Sequence, residues 1–152
     1  MKNITEILEK EAKELLSMMH VKAEVMVREE NGAYSVGITS DEDAPLLIGK
    51  YGETLQAIQR ILEAILYKAV AERVDIAVNI NDYRERQKER LAHIAERTAQ
   101  KVKEEGREAY LHSFSAYERK IIHEYITHTH PELTSYSEGE GDERKIIISP
   151  KT

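Results

Sequence analysis

The run Leu47-Ile48-Gly49-Lys50-Tyr51-Gly52-Glu53-Thr54-Leu55 constrains this chain most, because it places two glycines three positions apart between an apolar segment and an amphipathic one. Glycine lets the backbone turn tightly and approach a ligand without a side chain in the way. The helix that follows supplies unpaired N–H groups and the positive end of its dipole, which suit a phosphate. Lys50 adds a formal positive charge. The run predicts a clamp on a nucleic-acid backbone.

The glycine spacing alone is equally typical of an ordinary corner between two helices. The residues after it are more informative, because apolar side chains recur there at helical spacing and predict one buried face. These side chains are Ile58, Ile61, Leu62, Ile65, Leu66 and Ala69. A long amphipathic helix is therefore expected directly after the second glycine.

The composition excludes several classes of protein. A chain of 152 residues is expected to form one or two small domains. It contains no cysteine, which excludes disulfides, thiolate zinc sites and cysteine nucleophiles and fits a reducing cytosol. The longest apolar runs are far too short to span a bilayer, and the first residues lack the apolar core of a signal peptide. We expect a soluble, cytoplasmic protein without membrane insertion.

The distribution of charge bears on nucleic-acid binding. The net charge of −6 counts against such binding, because a basic surface is its usual sign. Residues 1–43 carry a net charge of −5, residues 44–81 carry 0, residues 82–107 carry +2 and residues 108–152 carry −3. The glycine loop and the segment after it are thus neutral to basic, which predicts a modest affinity that depends on salt.

The first eighty residues alternate between helical and strand periodicity. The predicted elements are a helix from Ile4 to Met19 capped by Thr5, strands from Lys22 to Arg28 and from Ala33 to Thr39 joined by an Asn31-Gly32 turn, a short helix from Ala44 to Ile48, the long helix from Leu55, and a strand from Arg73 to Ile80. This order, together with the run from Leu47 to Gln56, resembles a type II KH domain over residues 1–81.

The resemblance implies an α+β fold in which a three-stranded sheet is backed by three helices. It also implies that the loop grips the backbone of about four nucleotides while the bases lie over an apolar groove. Tyr51 stands where many related loops carry a second basic residue, and it could stack on a base or ribose. Ile48 and Leu55 are candidates for either the groove or the core. The implied clamp residues are Gly49, Lys50, Tyr51 and Gly52.

A further long helix is predicted from Asp82 to Glu105, with no proline- or glycine-rich linker before it. Basic residues crowd its first turns, and they could contact nucleic acid. Because Glu85 and Glu89 are interleaved with them, the same pattern is typical of a solvated helix face. The basic residues are Arg84, Arg86, Lys88 and Arg90.

A second constellation lies in the run Ser113-Phe114-Ser115-Ala116-Tyr117-Glu118-Arg119-Lys120-Ile121-Ile122-His123, which begins with serines suited to capping a helix. Arg119 and His123 are four residues apart and hence on one helical face. An exposed Arg–His pair can bind one phosphate through a charged fork and a ring N–H. Taken alone, such a pair is more often a surface coincidence.

The segment from Leu133 to Ile148 reads as a strand, a tight acidic turn and a second strand. Together with Asp82-Tyr83-Arg84-Glu85-Arg86 and the run from Tyr117 to His123, it resembles an R-three-H domain over residues 82–152, a small α+β domain joined to the first by the long helix. By this resemblance Arg119 and His123 are the named pair, and Arg84 and Arg144 join them as candidate nucleic-acid contacts. A KH domain followed by an R-three-H domain resembles the Jag (SpoIIIJ-associated) family of bacterial RNA-binding proteins.

The resemblance implies non-catalytic binding of single-stranded RNA, with single-stranded DNA as a further ligand, in post-transcriptional control. It also implies a link to cell elongation and division, and a small KH-only protein as a partner. Self-association stays open, and no cofactor or metal is expected. The family often begins with an additional N-terminal domain, for which this sequence leaves no room.

Two other functions fit parts of the sequence. His123-Glu124 followed by His128 resembles a zinc-protease motif, but histidines five residues apart do not share a helical face, so an enzyme is not expected. The stronger rival is a protein-interaction module that uses the KH fold without binding RNA. Replacing Gly49 and Gly52 with aspartate is expected to distinguish it, by placing carboxylates at the phosphate site while leaving the fold intact.

Overall fold

A computed structural model describes residues 3–152. The chain forms two compact units, one extending to Arg84 and the other comprising Glu85–Thr152. The boundary between domains that the sequence suggests, after residue 81, stays a prediction. Each unit has its own three-stranded sheet and its own apolar core, so the α+β class predicted from the sequence is confirmed.

The first unit contains three helices and three strands in the predicted order. Strand β1 pairs antiparallel with β2, and β2 pairs parallel with β3, so the sheet order is β1-β2-β3. Asn31 and Gly32 both have positive φ in the tight turn between β1 and β2, as predicted. The elements are α1 (Ile4–Met18), β1 (Glu24–Glu30), β2 (Ala33–Thr39), α2 (Ala44–Ile48), a 3-10 turn (Lys50–Gly52), α3 (Glu53–Val70) and β3 (Ile76–Ile80).

Several details of the first unit differ from the prediction, and strand β1 spans Glu24–Glu30 rather than Lys22 to Arg28. The side chain of Asn3, rather than Thr5, caps α1 by accepting a hydrogen bond from the N–H of Glu6. Strand β3 begins at Ile76 rather than Arg73, since its register with β2 begins at the pair Tyr34 and Ile76. Ile61 was expected in the buried face of α3, but it is 44% exposed.

The second unit packs two helices against one face of its sheet. Strand β6 lies in the centre and pairs antiparallel with both β4 and β5. The long helix was predicted to within one residue, whereas the three-residue strand β4 was not predicted. The elements are α4 (Tyr83–Glu105), which begins at the end of the first unit, β4 (Ala109–Leu111), α5 (Ala116–Thr129), β5 (Leu133–Glu138), a 3-10 turn (Gly141–Glu143) and β6 (Lys145–Pro150).

The central strand β6 has one face toward the core and one face away from it. Ile146 and Ile148 are buried with apolar residues of α4 and α5, including Leu91 and Ile122. Ile147 is also buried but is not part of that cluster. Because side chains alternate along a strand, Ile147 lies on the face opposite the helices.

Candidate nucleic-acid interface

The glycine loop has the tight backbone that the sequence predicts. Helix α2 ends at Ile48, and the next residue, Gly49, has φ 73° and ψ 179°. Tyr51 and Gly52 follow with φ values of 56° and 77°, in the left-handed region. The N–H of Gly52 donates to the carbonyl of Gly49 over 3.3 Å, which closes the turn immediately before α3 begins at Glu53. The loop therefore leads directly into the N-terminus of an 18-residue helix.

Close contacts as well as positive φ constrain both glycines, more strongly at Gly49 than at Gly52. A Cβ atom on Gly49 would lie 2.8 Å from the backbone nitrogen of Thr54 and 2.9 Å from its Cβ. A Cβ atom on Gly52 would lie 3.2 Å from Cε1 of Tyr83. The expectation that aspartate at both glycines leaves the fold intact is therefore wrong, since the side chain at position 49 would collide with backbone.

The two residues between the glycines have exposed side chains. Lys50 is exposed, and Tyr51 is 40% exposed. The ammonium of Lys50 lies 5.2 Å from the centroid of the Tyr51 ring, within the range of a cation–π interaction. The loop thus presents one formal positive charge and one aromatic ring at the surface. Glu53, in the first turn of α3, is the nearest acidic residue in sequence and reduces the net positive charge of the site.

The structure distinguishes Leu55 from Ile48, the two residues that the sequence assigns to either the groove or the core. Leu55 is 1% exposed and belongs to the core of the first unit. Ile48 is half-buried and packs against that core from α2. Leu46, two residues earlier in α2, is 57% exposed. Ile48 and Leu46 thus provide apolar surface in the helix that leads into the loop.

Arg84 lies at the free edge of β3. Its Nε donates to the carbonyl of Val78 over 2.8 Å, and its Nη2 donates to Oε1 of Gln59 over 3.2 Å. The same Gln59 oxygen accepts the N–H of Val78 over 3.0 Å. The two side chains satisfy backbone groups that an edge strand would otherwise present to another chain. A contact between Arg84 and nucleic acid stays a prediction, and the structure shows a stabilising role.

Arg119 and His123 lie one turn apart on α5, as their spacing predicts. One guanidinium nitrogen of Arg119, Nη1, donates to the carbonyl of Phe114 over 2.7 Å. His123 is exposed, and its Nδ1 is 2.5 Å from Oγ of Ser135 in β5. Within the described part of the chain, Nε2 of His123 has no hydrogen-bond partner. Each side chain is thus oriented through one nitrogen, which fits binding of a phosphate through the others.

The N-terminus of α5 is capped by Ser115, one of the serines that the sequence predicts to cap it, together with a glutamate that the sequence analysis did not single out. Oγ of Ser115 accepts the N–H of Glu118, and the Glu118 carboxylate accepts the N–H of Ser115, which together form a capping box. Glu118 is buried and also accepts hydrogen bonds from Arg90 and Gln87 of α4. The serine and glutamate three residues apart were the available signal. The partners in α4 could not be found without the fold.

Arg144 lies at the start of the strand that follows the acidic turn. Its Nη1 donates to the carbonyl of Gly139 over 2.7 Å, so it closes the turn between β5 and β6. It is only partly exposed. Its role in nucleic-acid binding stays a prediction, and the observed bond stabilises the turn.

The histidines considered for catalysis do not converge. His123 and His128 are exposed, whereas His130 is buried with Nε2 2.7 Å from Oε2 of Glu96. Hydrogen bonds from Gln100, His130 and Tyr125 lower the pKa of Glu96 to about 2. The hydrogen bond to Glu96 raises the pKa of Tyr125 above its ordinary value. Among residues 3–152 there is no group of three or more His, Asp or Glu side chains arranged to hold a metal.

Comparison with known families agrees with this geometry. Residues 5–80 match the family described as KhpA/KhpB, KH domain. The chain belongs to the KhpA/KhpB family of KH-domain proteins. Residues 89–150 match the R-three-H domain, so the two matches follow one another in the order that the sequence analysis expects. Both are binding modules rather than enzyme families.

Curated members of this family resemble the chain over much of its length. It is 33% identical over 131 residues to the RNA-binding protein KhpB of Bacillus subtilis, covering 86% of the chain and 62% of that protein. It is 34% identical over 133 residues to the protein of the same name from Clostridium symbiosum, covering 88% and 59%. For the Lactiplantibacillus plantarum protein the figures are 34% over 104 residues, covering 68% and 32%. The chain thus spans between one third and about three fifths of these KhpB relatives.

No helix within residues 3–152 is both long enough and apolar enough to span a membrane.

Proposed function

We propose that this chain binds single-stranded RNA without catalysis, through the loop from Gly49 to Gly52. One observation supports this more than any other. Lys50 and Tyr51 are exposed between glycines whose positive φ values and close contacts bring the backbone to the N-terminus of α3. This arrangement combines N–H groups and one charge for a phosphate with one ring for stacking on a base.

The second unit supplies an additional phosphate contact in this proposal. Arg119 and His123 share one face of α5, and each is oriented by a single hydrogen bond. KhpB relatives carry the name RNA-binding protein, which favours RNA as the ligand. Since both units belong to one chain, binding by one raises the effective concentration of RNA at the other, and two weak contacts can give a useful affinity.

The finer parts of the proposal rest on the family resemblance. We propose that the chain acts in post-transcriptional control in the bacterial cytoplasm, with links to cell elongation and division. We also propose a small KH-only protein as a partner, single-stranded DNA as a weaker ligand, and self-association. Because the chain spans only part of its relatives' length, these properties of whole proteins are proposals for this chain.

The proposal is tested by fluorescence anisotropy with labelled single-stranded RNA of mixed sequence, beside the matching DNA and the RNA duplex. Measurements at two salt concentrations separate phosphate contacts from stacking, since the logarithm of the binding constant falls by about 0.7 per contacted phosphate for each tenfold rise in salt. We expect single strands to bind more tightly than the duplex. The absence of binding at low salt by a folded protein would contradict the proposal.

A further inference from the structure

The second unit carries two tyrosines in one row of its sheet, on the face away from the helices. In the strand register, Ile147 of β6 is paired with Tyr110 of β4 on one side and with Tyr136 of β5 on the other. Directly paired residues of antiparallel strands point to the same face. Because Ile147 lies on the face opposite the core, both tyrosines lie there too. We call this row of Tyr110, Ile147 and Tyr136 the tyrosine face.

Burial shows how the row is arranged. Ile147 is 2% exposed although it lies on the face away from the helices, so side chains on that face shield it. Tyr110 and Tyr136 are 51% and 48% exposed, which leaves about half of each side chain open to solvent. The strands that carry them are separated by one strand, so their backbones lie about 10 Å apart. The row thus offers two half-exposed rings on either side of a buried isoleucine, an arrangement suited to stacking.

Cations lie beside the rings. The ammonium of Lys145 is 4.8 Å from the centroid of the Tyr110 ring. Tyr110 also lines a cleft of about 860 Å³ whose other lining residues include Arg107 and Lys151. Glu108 accepts a hydrogen bond from the Tyr110 hydroxyl, and Glu138 is paired with Lys145 across the strands. Arg107 is itself paired with Glu105 over 3.7 Å, so the three cations and three carboxylates around the rings balance.

The tyrosine face and the Arg119–His123 site lie on the two sides of the edge strand β5. Ser135 of β5 contacts His123, and Tyr136 is the next residue in the chain. Successive side chains of a strand point to opposite faces, so the histidine contact and the ring lie on the two sides of the same edge strand. A single strand of nucleic acid held at Arg119 and His123 can therefore pass around the edge of β5 onto the tyrosine face.

We propose that the tyrosine face is a second binding surface for the same single-stranded RNA, on which unpaired bases stack against Tyr136 and Tyr110 while Lys145 contacts a phosphate. This inference rests on the proposed function. Stacking suits the face because every base offers an aromatic surface to an exposed ring. The face therefore contributes affinity that depends little on sequence and less on salt than the glycine loop does.

The test uses the full chain with three substitutions at one position and one matched control. Tyr136→Phe keeps the ring and loses the hydroxyl, whereas Tyr136→Leu keeps an apolar cover over Ile147 and loses the ring. Tyr67→Leu removes a similarly exposed tyrosine from the C-terminal end of α3, far along the helix from the glycine loop. Tyr136→Trp introduces the only tryptophan of the chain, whose fluorescence reports stacking directly.

We expect Tyr136→Leu to weaken binding of single-stranded RNA at least about fivefold, the lower end of the effect of losing one stacked base. Tyr136→Phe and Tyr67→Leu are expected to bind within about twofold of the unmodified chain. RNA is expected to quench the fluorescence of Trp introduced at position 136. Circular dichroism of each variant verifies the fold, and the Phe and Trp variants keep the test valid if the Leu variant does not fold.

The outcomes separate this inference from the proposed function. If anisotropy shows RNA binding while Tyr136→Leu binds normally and the introduced tryptophan is not quenched, the tyrosine face is not an RNA surface and the proposed function still stands. If the unmodified, folded chain binds no single-stranded RNA, both are wrong. Quenching together with a weakened Leu variant supports the inference.

Discussion

Oε1 of Glu118, in the first turn of α5, accepts a hydrogen bond from Nη2 of Arg90 on α4 over 2.8 Å. Glu118 is 1% exposed, whereas the Arg90 side chain is 54% exposed. The hydrogen bond therefore joins a buried carboxylate to a guanidinium at the surface. The same carboxylate completes the capping box with Ser115. One residue therefore fixes both the start of α5 and its contact with α4, and the next residue in the chain is Arg119.

Glu118→Ala is expected to lower the free energy of unfolding of the second unit by about 2–3 kcal/mol, because it removes a helix cap and a buried charge-assisted hydrogen bond. Urea unfolding measures the change. The control is Glu124→Ala on the same helix, where an exposed pair with Lys120 at 3.9 Å is expected to contribute less than about 0.5 kcal/mol. Equal losses in the two variants would contradict this role for Glu118.

Arg119→Ala combined with His123→Ala is expected to weaken binding of single-stranded RNA and to flatten its salt dependence. The slope of the logarithm of the binding constant against that of salt should change by about 0.7 for each phosphate that the variant no longer binds. The matched control is Lys120→Ala with His128→Ala, which removes a basic residue and a histidine from exposed positions on the same helix. If the control pair reduces the slope as much as the site pair does, the effect is one of general charge rather than of a site.

Gly49→Ala is expected to destabilise the first unit more than Gly32→Ala does. Both glycines have positive φ, so each substitution should cost at least about 1 kcal/mol for the backbone conformation alone. A Cβ at position 32 meets nothing within 4 Å, whereas at position 49 it lies 2.8 Å from the Thr54 nitrogen. The collision is expected to raise the loss at Gly49 above about 2 kcal/mol in urea unfolding. Equal losses in the free energy of unfolding of the two variants would show that the loop accommodates a Cβ atom at position 49 without an added cost.

Acid is expected to remove a stabilising contribution of Glu96. Hydrogen bonds from Gln100, His130 and Tyr125 lower its pKa in the folded chain to about 2, below the ordinary value of 4.5. Since the folded pKa is the lower one, the contribution is complete above pH 4.5 and is lost as the pH falls toward 2. The pKa of Glu132 is also about 2, chiefly through a hydrogen bond from Lys103, so it acts in the same window.

Urea unfolding of the unmodified chain and of Glu96→Gln between about pH 7 and about pH 2.5 tests this. The variant is expected to be less stable at neutral pH, and the gap in the free energy of unfolding should narrow below pH 4.5. A gap that stays constant over this range would show that the Glu96 charge contributes nothing to stability.

Local sequence signals predicted the elements of the fold well. The turn at Asn31 and Gly32, the short helix before the loop and the spacing of Arg119 and His123 all depend on residues close in the chain. Strand β4 was missed because three residues, Ala109–Leu111, are too few to show a period, and the strand exists only through its pairing with Ile146, Ile147 and Ile148.

Side-chain partners that are distant in the chain could not be predicted. Arg84 was named as a candidate contact with nucleic acid, and the hydrogen bonds of its guanidinium to Val78 and Gln59 at the edge of β3 were not foreseen. Ile61 fits the helical period of its neighbours, but which part of that face is covered depends on the elements that pack against α3. The tyrosine face likewise depends on register, because Tyr110 and Tyr136 are 26 residues apart in the sequence.

The central claim is tested most directly by Lys50→Asp combined with Tyr51→Asp. Aspartate tolerates the left-handed backbone at position 51, and neither substitution disturbs a glycine. The matched control, Tyr67→Asp with Lys68→Asp, changes the same two residue types and the same net charge at the far end of α3. Anisotropy with single-stranded RNA is expected to show a loss of at least about tenfold for the loop variant and near-normal binding for the control. Unchanged binding by a folded loop variant would contradict the account.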